Sequence, residues 1–202
     1  MQTRPRLIVA TRNAHKTDEI RAMIGDRFEV LDATDFPECA EIEETGTTFL
    51  ENARLKADGV SRLVEGWVLS DDSGLEVDAL GGAPGVWSSS YGGEECNHPR
   101  NNARLIREMA GKSERSARFR CTMVLARNGV EVAHFSGTVE GQIIDEPRGA
   151  KGFGYDPLFI PAGYSATFSE LGEEVKNSLS HRSRALAQVV EYLHSKGAEI
   201  AK

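Results

Sequence analysis

FRCTMVLARNGVEVAHF, residues 119–135, is the stretch whose reading decides the fold. Phe119, Cys121, Met123 and Leu125 alternate with polar or small residues at the period of a half-buried strand, and Asn128-Gly129 favours a two-residue turn between antiparallel strands. The strand-like pattern continues from Val130 to Ile144, which predicts a long hairpin in the second half of the chain. Upstream the pattern is different. Leu7-Ile8-Val9-Ala10 is a short apolar run, Thr11 to Lys16 is polar, and Ile20, Met23 and Ile24 follow at helical spacing, which predicts strand, loop and helix. Phe28 to Leu31 predicts a second strand. Thr48 with Glu51 has the form of a capping box, opening a helix that buries Leu50, Ala53, Ala57, Val60 and Val64.

Trp67-Val68-Leu69 predicts a short strand that ends at Ser70-Asp71-Asp72-Ser73-Gly74, so the acidic pair is expected at a strand end or tight turn. Leu80 to Gly93 has no period and predicts an ordered loop. Asn102, Leu105, Ile106 and Met109 mark another helix, and Leu186, Val189, Val190 and Leu193 mark a last one from Ser180 onward. Alternating helices and strands followed by a long hairpin imply an α/β fold with a mixed sheet, not a purely parallel doubly wound one. No linker, repeat or low-complexity tract divides residues 1–202, which predicts a single domain.

The formal net charge of -7 and pI near 5.3 leave no global positive field for a nucleic-acid backbone, which disfavours a polymer substrate; a small anionic one stays open, because local cations, a helix N-terminus or a bound divalent ion can overcome an acidic average. Cys39, Cys96 and Cys121 are widely spaced with no zinc-type pairing, which predicts reduced thiols in a cytoplasmic protein. The apolar run near the start is too short for a signal segment or membrane span.

Asp71 and Asp72, with Glu43 and Glu44 earlier, offer the hard oxygens that Mg²⁺ takes, although solvated acidic pairs are common. Thr11, Asn13 and Lys16 lie between a strand and a helix, where hydroxyl, amide, ammonium and backbone N–H groups can converge on a phosphate. A plain capped helix start with an exposed lysine fits that stretch equally well. Gly152-Phe153-Gly154-Tyr155-Asp156 suits a loop that approaches a flat base with Phe153 stacking, or a turn that tucks Phe153 and Tyr155 into the core. Pro157 stands where a dinucleotide motif needs its third glycine, and no P-loop occurs. His181 and Arg182 open the last helix against the macrodipole preference, a small argument for a functional role.

In this order, Thr11 to Lys16, Glu44-Thr45-Gly46 with Phe49 and Glu51-Asn52-Ala53, Asp71 to Gly85, Gly152 to Pro157 and Ser180-His181-Arg182 resemble the inosine triphosphate pyrophosphatase family, the dITP/XTP pyrophosphatases. The match runs from Leu7 to the last helix. The resemblance implies a two-lobed α/β fold with a long mixed β-sheet flanked by helices, a nucleotide cleft between the lobes, a Mg²⁺ requirement and a homodimer. It implies hydrolysis of non-standard purine triphosphates to monophosphate and pyrophosphate. By the same resemblance Asp72 is the general base and a metal contact, and Glu44 and Asp71 support the metal. Thr11, Arg12, Asn13, Ala14, His15, Lys16 and Ser73 hold the triphosphate. Phe153, Gly154, Tyr155, Asp156, Lys176, His181 and Arg182 contact the substrate, mostly around the base. Two positions depart from the family pattern: Ser90 stands where an arginine is usual, so that a cationic contact is either lost or supplied from elsewhere, for instance by Arg100 or Arg104, and Ser183 stands where glycine is frequent. A pyrophosphatase for other nucleotides, or a nucleotide-binding module without turnover, are the competing readings.

Overall fold

The structure is a computed structural model and describes residues 4–196. Its elements in chain order are β1 (Arg6–Val9), α1 (Ala14–Ile24), β2 (Glu29–Asp32), α2 (Phe49–Ser61), β3 (Trp67–Val77), α3 (His98–Met109), β4 (Ser116–Arg127), β5 (Val130–Ile143), β6 (Phe159–Pro161), α4 (Phe168–Leu171), α5 (Glu173–Leu179) and α6 (His181–Lys196). The strands form one six-stranded sheet in the order β2-β1-β3-β4-β5-β6. β1 pairs in parallel with β2, where Ile8 faces Leu31, and with β3, where Val9 faces Leu69. β5 and β6 pair antiparallel, with Gln142 opposite Ile160. The sheet is therefore mixed, as the hairpin pattern requires. Asn128 and Gly129 both take left-handed backbone conformations, φ 54 and 77, which supply the twist of a tight hairpin turn between β4 and β5.

The described residues form two compact units, one from 4–72, 121–137 and 182–196, the other from 73–120 and 138–181. In the first, Leu7 and Val9 of β1, Ile20 and Ile24 of α1, Leu69 of β3, Met123 and Leu125 of β4, and Leu186, Val189 and Leu193 of α6 form one buried cluster. These are the apolar positions that strand and helix periodicity single out, since each element buries one face. In the second, Leu75, Val77, Leu105, Met109, Phe119, Val139, Phe159 and Phe168 make a separate core, with the Phe119 and Phe159 rings edge-on at 4.7 Å. α2 opens on the Thr48–Glu51 capping box that the spacing predicts. It stops at Ser61, so Val64 is buried outside the helix.

One expectation is overturned. β3 does not end at the acidic pair but runs on through it to Val77, and Ser70, Asp71 and Asp72 lie in the interior of an eleven-residue strand. All three are buried. A polar run reads locally as a turn because burying charge is expensive. Here cations from other elements meet those charges, an arrangement that no local pattern encodes. The short β6, α4 and α5, and the single 3₁₀ turns at 78–80, leading into the expected loop, and at 85–87 within it, are likewise too brief for periodicity to register.

Gly141 of β5 pairs with Pro161 of β6, and a Cβ there would stand 2.3 Å from the Ile160 carbonyl oxygen and 2.5 Å from the Phe159 ring. A backbone oxygen cannot swing aside as a side chain can. Gly141→Ala is expected to destabilise the protein by about 1–3 kcal/mol, measured by urea unfolding. A loss below a few tenths would show that β6 is not held firmly against β5.

Candidate active site

In the first unit, the segment between β1 and α1 is ordered by its own side chains. Thr11 Oγ1 accepts from the Asn13 backbone N–H at 3.1 Å, and Asn13, the N-cap of α1, accepts from the backbone of His15 at 3.0 Å and of Lys16 at 3.4 Å. The exposed Arg12 guanidinium donates to the Cys39 carbonyl, and Ala14 and His15 are exposed on the first turn. Lys16 is not an exposed lysine. Its side chain is mostly buried, and Nζ lies 2.7 Å from Asp71 Oδ1.

Asp71 is fully buried in β3 and collects donors from three directions. Besides Lys16, Arg182 in the first turn of α6 donates from Nε to Oδ2 at 2.9 Å and from Nη2 to Oδ1 at 3.3 Å, and the Cys121 thiol donates to Oδ2 at 3.1 Å. Arg182 is also buried, and its Nη1 donates to Glu19 of α1. Burial alone would raise the Asp71 carboxyl, but Arg182 and Lys16 outweigh it and hold its pKa well below the usual carboxylate range. Burial lowers and Asp71 raises the Lys16 pKa, with a net rise that keeps the ammonium charged.

Asp72, one residue on along the strand, projects to the opposite face. Its Oδ1 lies 3.3 Å from Lys56 Nζ, which also reaches Glu44 Oε1 at 3.0 Å. Its Oδ2 is buried without a hydrogen-bond partner among the described residues. Burial raises the Asp72 pKa to about 6; Lys56 and Lys16 pull it down, while Glu44 and Asp71 push it up. Two neighbouring carboxylates thus differ in kind: one is locked as an anion by cations, and the other is poised near neutrality. Ser73, next along β3, is half-buried.

Glu44 and Asp72 already share one cation, the Lys56 ammonium, and Asp72 keeps a buried oxygen in reserve, so these two carboxylates fit a divalent ion. Asp71 fits less well as a direct ligand because Lys16, Arg182 and Cys121 engage its oxygens. No cluster of three or more His, Cys, Asp or Glu among the described residues could hold a metal unaided. Phosphate oxygens and water would have to complete the coordination, as is usual for Mg²⁺. Lys56 was missed by sequence reasoning, although a signal existed. It falls three residues after Ala53 and four before Val60, a charge on the helix face that is otherwise buried and mostly apolar.

In the second unit, residues 152–156 form a loop closed by Asp156. Asp156 Oδ2 accepts from the Phe153 backbone N–H at 2.9 Å and from Lys176 Nζ at 2.7 Å, with both charged groups buried. Lys176 Nζ also stands 4.3 Å from the centre of the half-buried Phe153 ring. Gly152 has φ +77, and a Cβ on it would stand 2.3 Å from Asp156 Oδ2, so only glycine leaves room for that carboxylate. Tyr155 is the residue of this loop that is tucked into the core, its hydroxyl donating to the Ser88 carbonyl at 2.8 Å. The buried His181 ring stacks on Phe119 at 4.9 Å. At the departure from the family pattern, Arg104 donates to the Tyr91 carbonyl at 2.7 Å and lies over the Tyr91 ring, whereas the exposed Arg100 pairs with Glu94.

Known proteins resemble this chain over most of its length. The chain is 48% identical over 197 residues to a dITP/XTP pyrophosphatase of Geobacter sulfurreducens, covering 96% of this chain and 99% of the relative. It is 46% identical over 189 residues to a dITP/XTP pyrophosphatase of Halalkalibacterium halodurans, covering 92% of this chain and 97% of the relative. A solved structure of a HAM1 protein from Coxiella burnetii superposes with a TM-score of 0.86 at 37% identity, over 95% of this chain and 99% of that one. Residues 7–192 match the sequence profile of the Ham1 family, and with that match and these relatives the chain belongs to the Ham1 family.

Proposed function

We propose that this protein hydrolyses non-standard purine nucleoside triphosphates, those of inosine, deoxyinosine and xanthosine, to the monophosphate and pyrophosphate. The relatives named above support the substrate class. The observation that carries the chemistry is the split between adjacent buried carboxylates, Asp71 held anionic and Asp72 raised to about 6. Pyrophosphate release needs water to attack the α-phosphorus with the diphosphate leaving in line. Asp72 is the residue to orient that water and take its proton. Lys16, held charged by Asp71, neutralises charge growing on the phosphate oxygens, and Thr11 to Lys16 with Ser73 bind the phosphates.

Asp72 and Glu44 would hold Mg²⁺, which when bound supplies further neutralisation of the triphosphate and a template for its geometry. Asp71 supports that site indirectly, through Lys16. Phe153 stacks on the base, while Lys176 and Asp156 set its loop. His181 offers a donor to the six-position carbonyl that inosine and xanthosine carry; adenine presents an amino group there and would leave such a donor unpaired. Arg182 serves by holding Asp71, because its guanidinium is buried against Asp71 and Glu19. A cytoplasmic homodimer is the working form that the family resemblance favours.

Asp72→Asn is expected to lower kcat on inosine triphosphate by about 10²- to 10⁴-fold while nucleotide binding persists, since an amide keeps the shape but cannot accept a proton. Turnover within roughly tenfold of the parent would remove Asp72 as the base. The parent's kcat/KM should rise with pH through about 6 and level off above it, because the protonated carboxyl is inactive. Raising the Mg²⁺ concentration should move that limb to lower pH, as a cation favours the charged form. Lys56→Met should move it the other way, since Lys56 lowers the Asp72 pKa. A limb indifferent to both changes would separate the titration from Asp72.

Glu44→Gln should raise the Mg²⁺ concentration needed for half-maximal rate, and an unchanged requirement would take Glu44 out of the metal site. For Arg182→Ala the expected outcome is a loss of about 3–5 kcal/mol in unfolding free energy, because the Asp71 charge stays buried after losing its guanidinium partner. A stable Arg182→Ala protein that has lost only its preference for inosine over adenosine triphosphate would return Arg182 to the base.

A further inference from the structure

Phe153 sits between two glycines in left-handed conformations, Gly152 at φ +77 and Gly154 at φ +63, on a segment without regular structure. Such a segment keeps a ring in one place only if its peptide groups are tied down. On the Gly152 side the tie is Asp156, which takes the Phe153 N–H and fills the space beside Gly152. On the Gly154 side the space where a Cβ would stand is open among the described residues. The tie there is a hydrogen bond from α3, in which Asn102 Nδ2 donates to the Gly154 carbonyl at 3.1 Å. His98, one turn earlier on the same helix face, brings its ring to 6.1 Å from the Phe153 ring centre.

Asn102 gives up something to make this bond. Its Oδ1 is buried without a hydrogen-bond partner among the described residues, a costly state for an amide oxygen. Turning the amide over would leave the NH₂ in that position and bring two acceptor oxygens together at Gly154. The Gly154 carbonyl therefore sets the amide's orientation, and the unmet oxygen is the consequence.

We propose that Asn102 is a positioning residue for base recognition: through the Gly154 carbonyl it fixes the Phe153 ring in the attitude that stacks on the purine, without touching the substrate itself. The inference rests on the reading above that Phe153 meets the base. It assigns to α3 a role in specificity that its sequence, an ordinary amphipathic helix, does not display.

The test is steady-state kinetics on inosine triphosphate with Mg²⁺ for Asn102→Ala, Asn102→Asp, Phe153→Ala and the double variant Asn102→Ala/Phe153→Ala, with melting temperatures recorded. Asn102→Asp keeps the side-chain volume but sets an acceptor against the carbonyl, so it tests the bond if the alanine variant folds poorly. The expected result is a KM raised by about tenfold in both Asn102 variants with kcat within roughly twofold of the parent. In the Phe153→Ala background the Asn102→Ala substitution should add less than about twofold, because it acts through a ring that is no longer there. A full additional KM penalty in the double variant, or a fall in kcat with KM unchanged, overturns the proposal. So does a raised KM in Phe153→Ala with unchanged KM in both Asn102 variants, which leaves the base-site reading standing. An unchanged KM in Phe153→Ala overturns the base-site reading and this inference with it.

Discussion

A carboxylate with no solvent exposure in the middle of a strand is the constraint around which the first unit is arranged. Asp71 is tolerated there because Lys16 arrives from α1, Arg182 from α6 and a thiol from β4, and together they more than offset the desolvation that would otherwise protonate it. Each partner lies on an element that packs on the same apolar cluster, so the charge cluster and the core need one another. Loss of any cation strands a buried anion. That requirement ties the first turn of α1 and the first turn of α6 to one position on β3, and so fixes the loop that begins at Thr11.

The alternation of side chains along a strand then does chemical work. Successive residues face opposite sides, so Asp71 and Asp72 occupy unlike environments although they are adjacent in the chain. Asp71 meets fixed cations and stays ionised. Asp72 meets burial, a neighbouring glutamate and one lysine shared with Glu44, and its proton affinity rises to about 6. A pair of identical side chains thereby yields a fixed anion that charges Lys16 and a titrating group able to take a proton at physiological pH.

The second unit solves a different problem, which is to hold a flat ring on a glycine-rich loop. Asp156 is buried with Lys176 and closes the loop by accepting the Phe153 N–H. The ammonium of Lys176 also lies against the ring, so charge balance and ring placement are secured by the same side chain. Gly152 is required because its Cβ would occupy the position of the Asp156 carboxylate.

Much of this was legible in the residues themselves. The Asn128-Gly129 turn, the Thr48–Glu51 capping box and the apolar periods of α1, α3 and α6 are local signals, and local backbone and burial preferences are enough to read them. The ordered series of motifs also pointed to the family and to most of the residues discussed here. What the sequence could not decide was the fate of its charges. Ser70-Asp71-Asp72 reads as the end of a strand because isolated acids do not enter cores, yet β3 continues to Val77 because cations from α1, α2 and α6 meet them. The sequence marks Lys16 and Arg182 as candidate substrate contacts and leaves Lys56 and Asn102 without roles. Which of them pairs with a buried carboxylate, bridges two carboxylates or tethers a loop depends on distances across dozens of residues. Electrostatics and hydrogen bonding act through space, so only the tertiary structure settled those pairings.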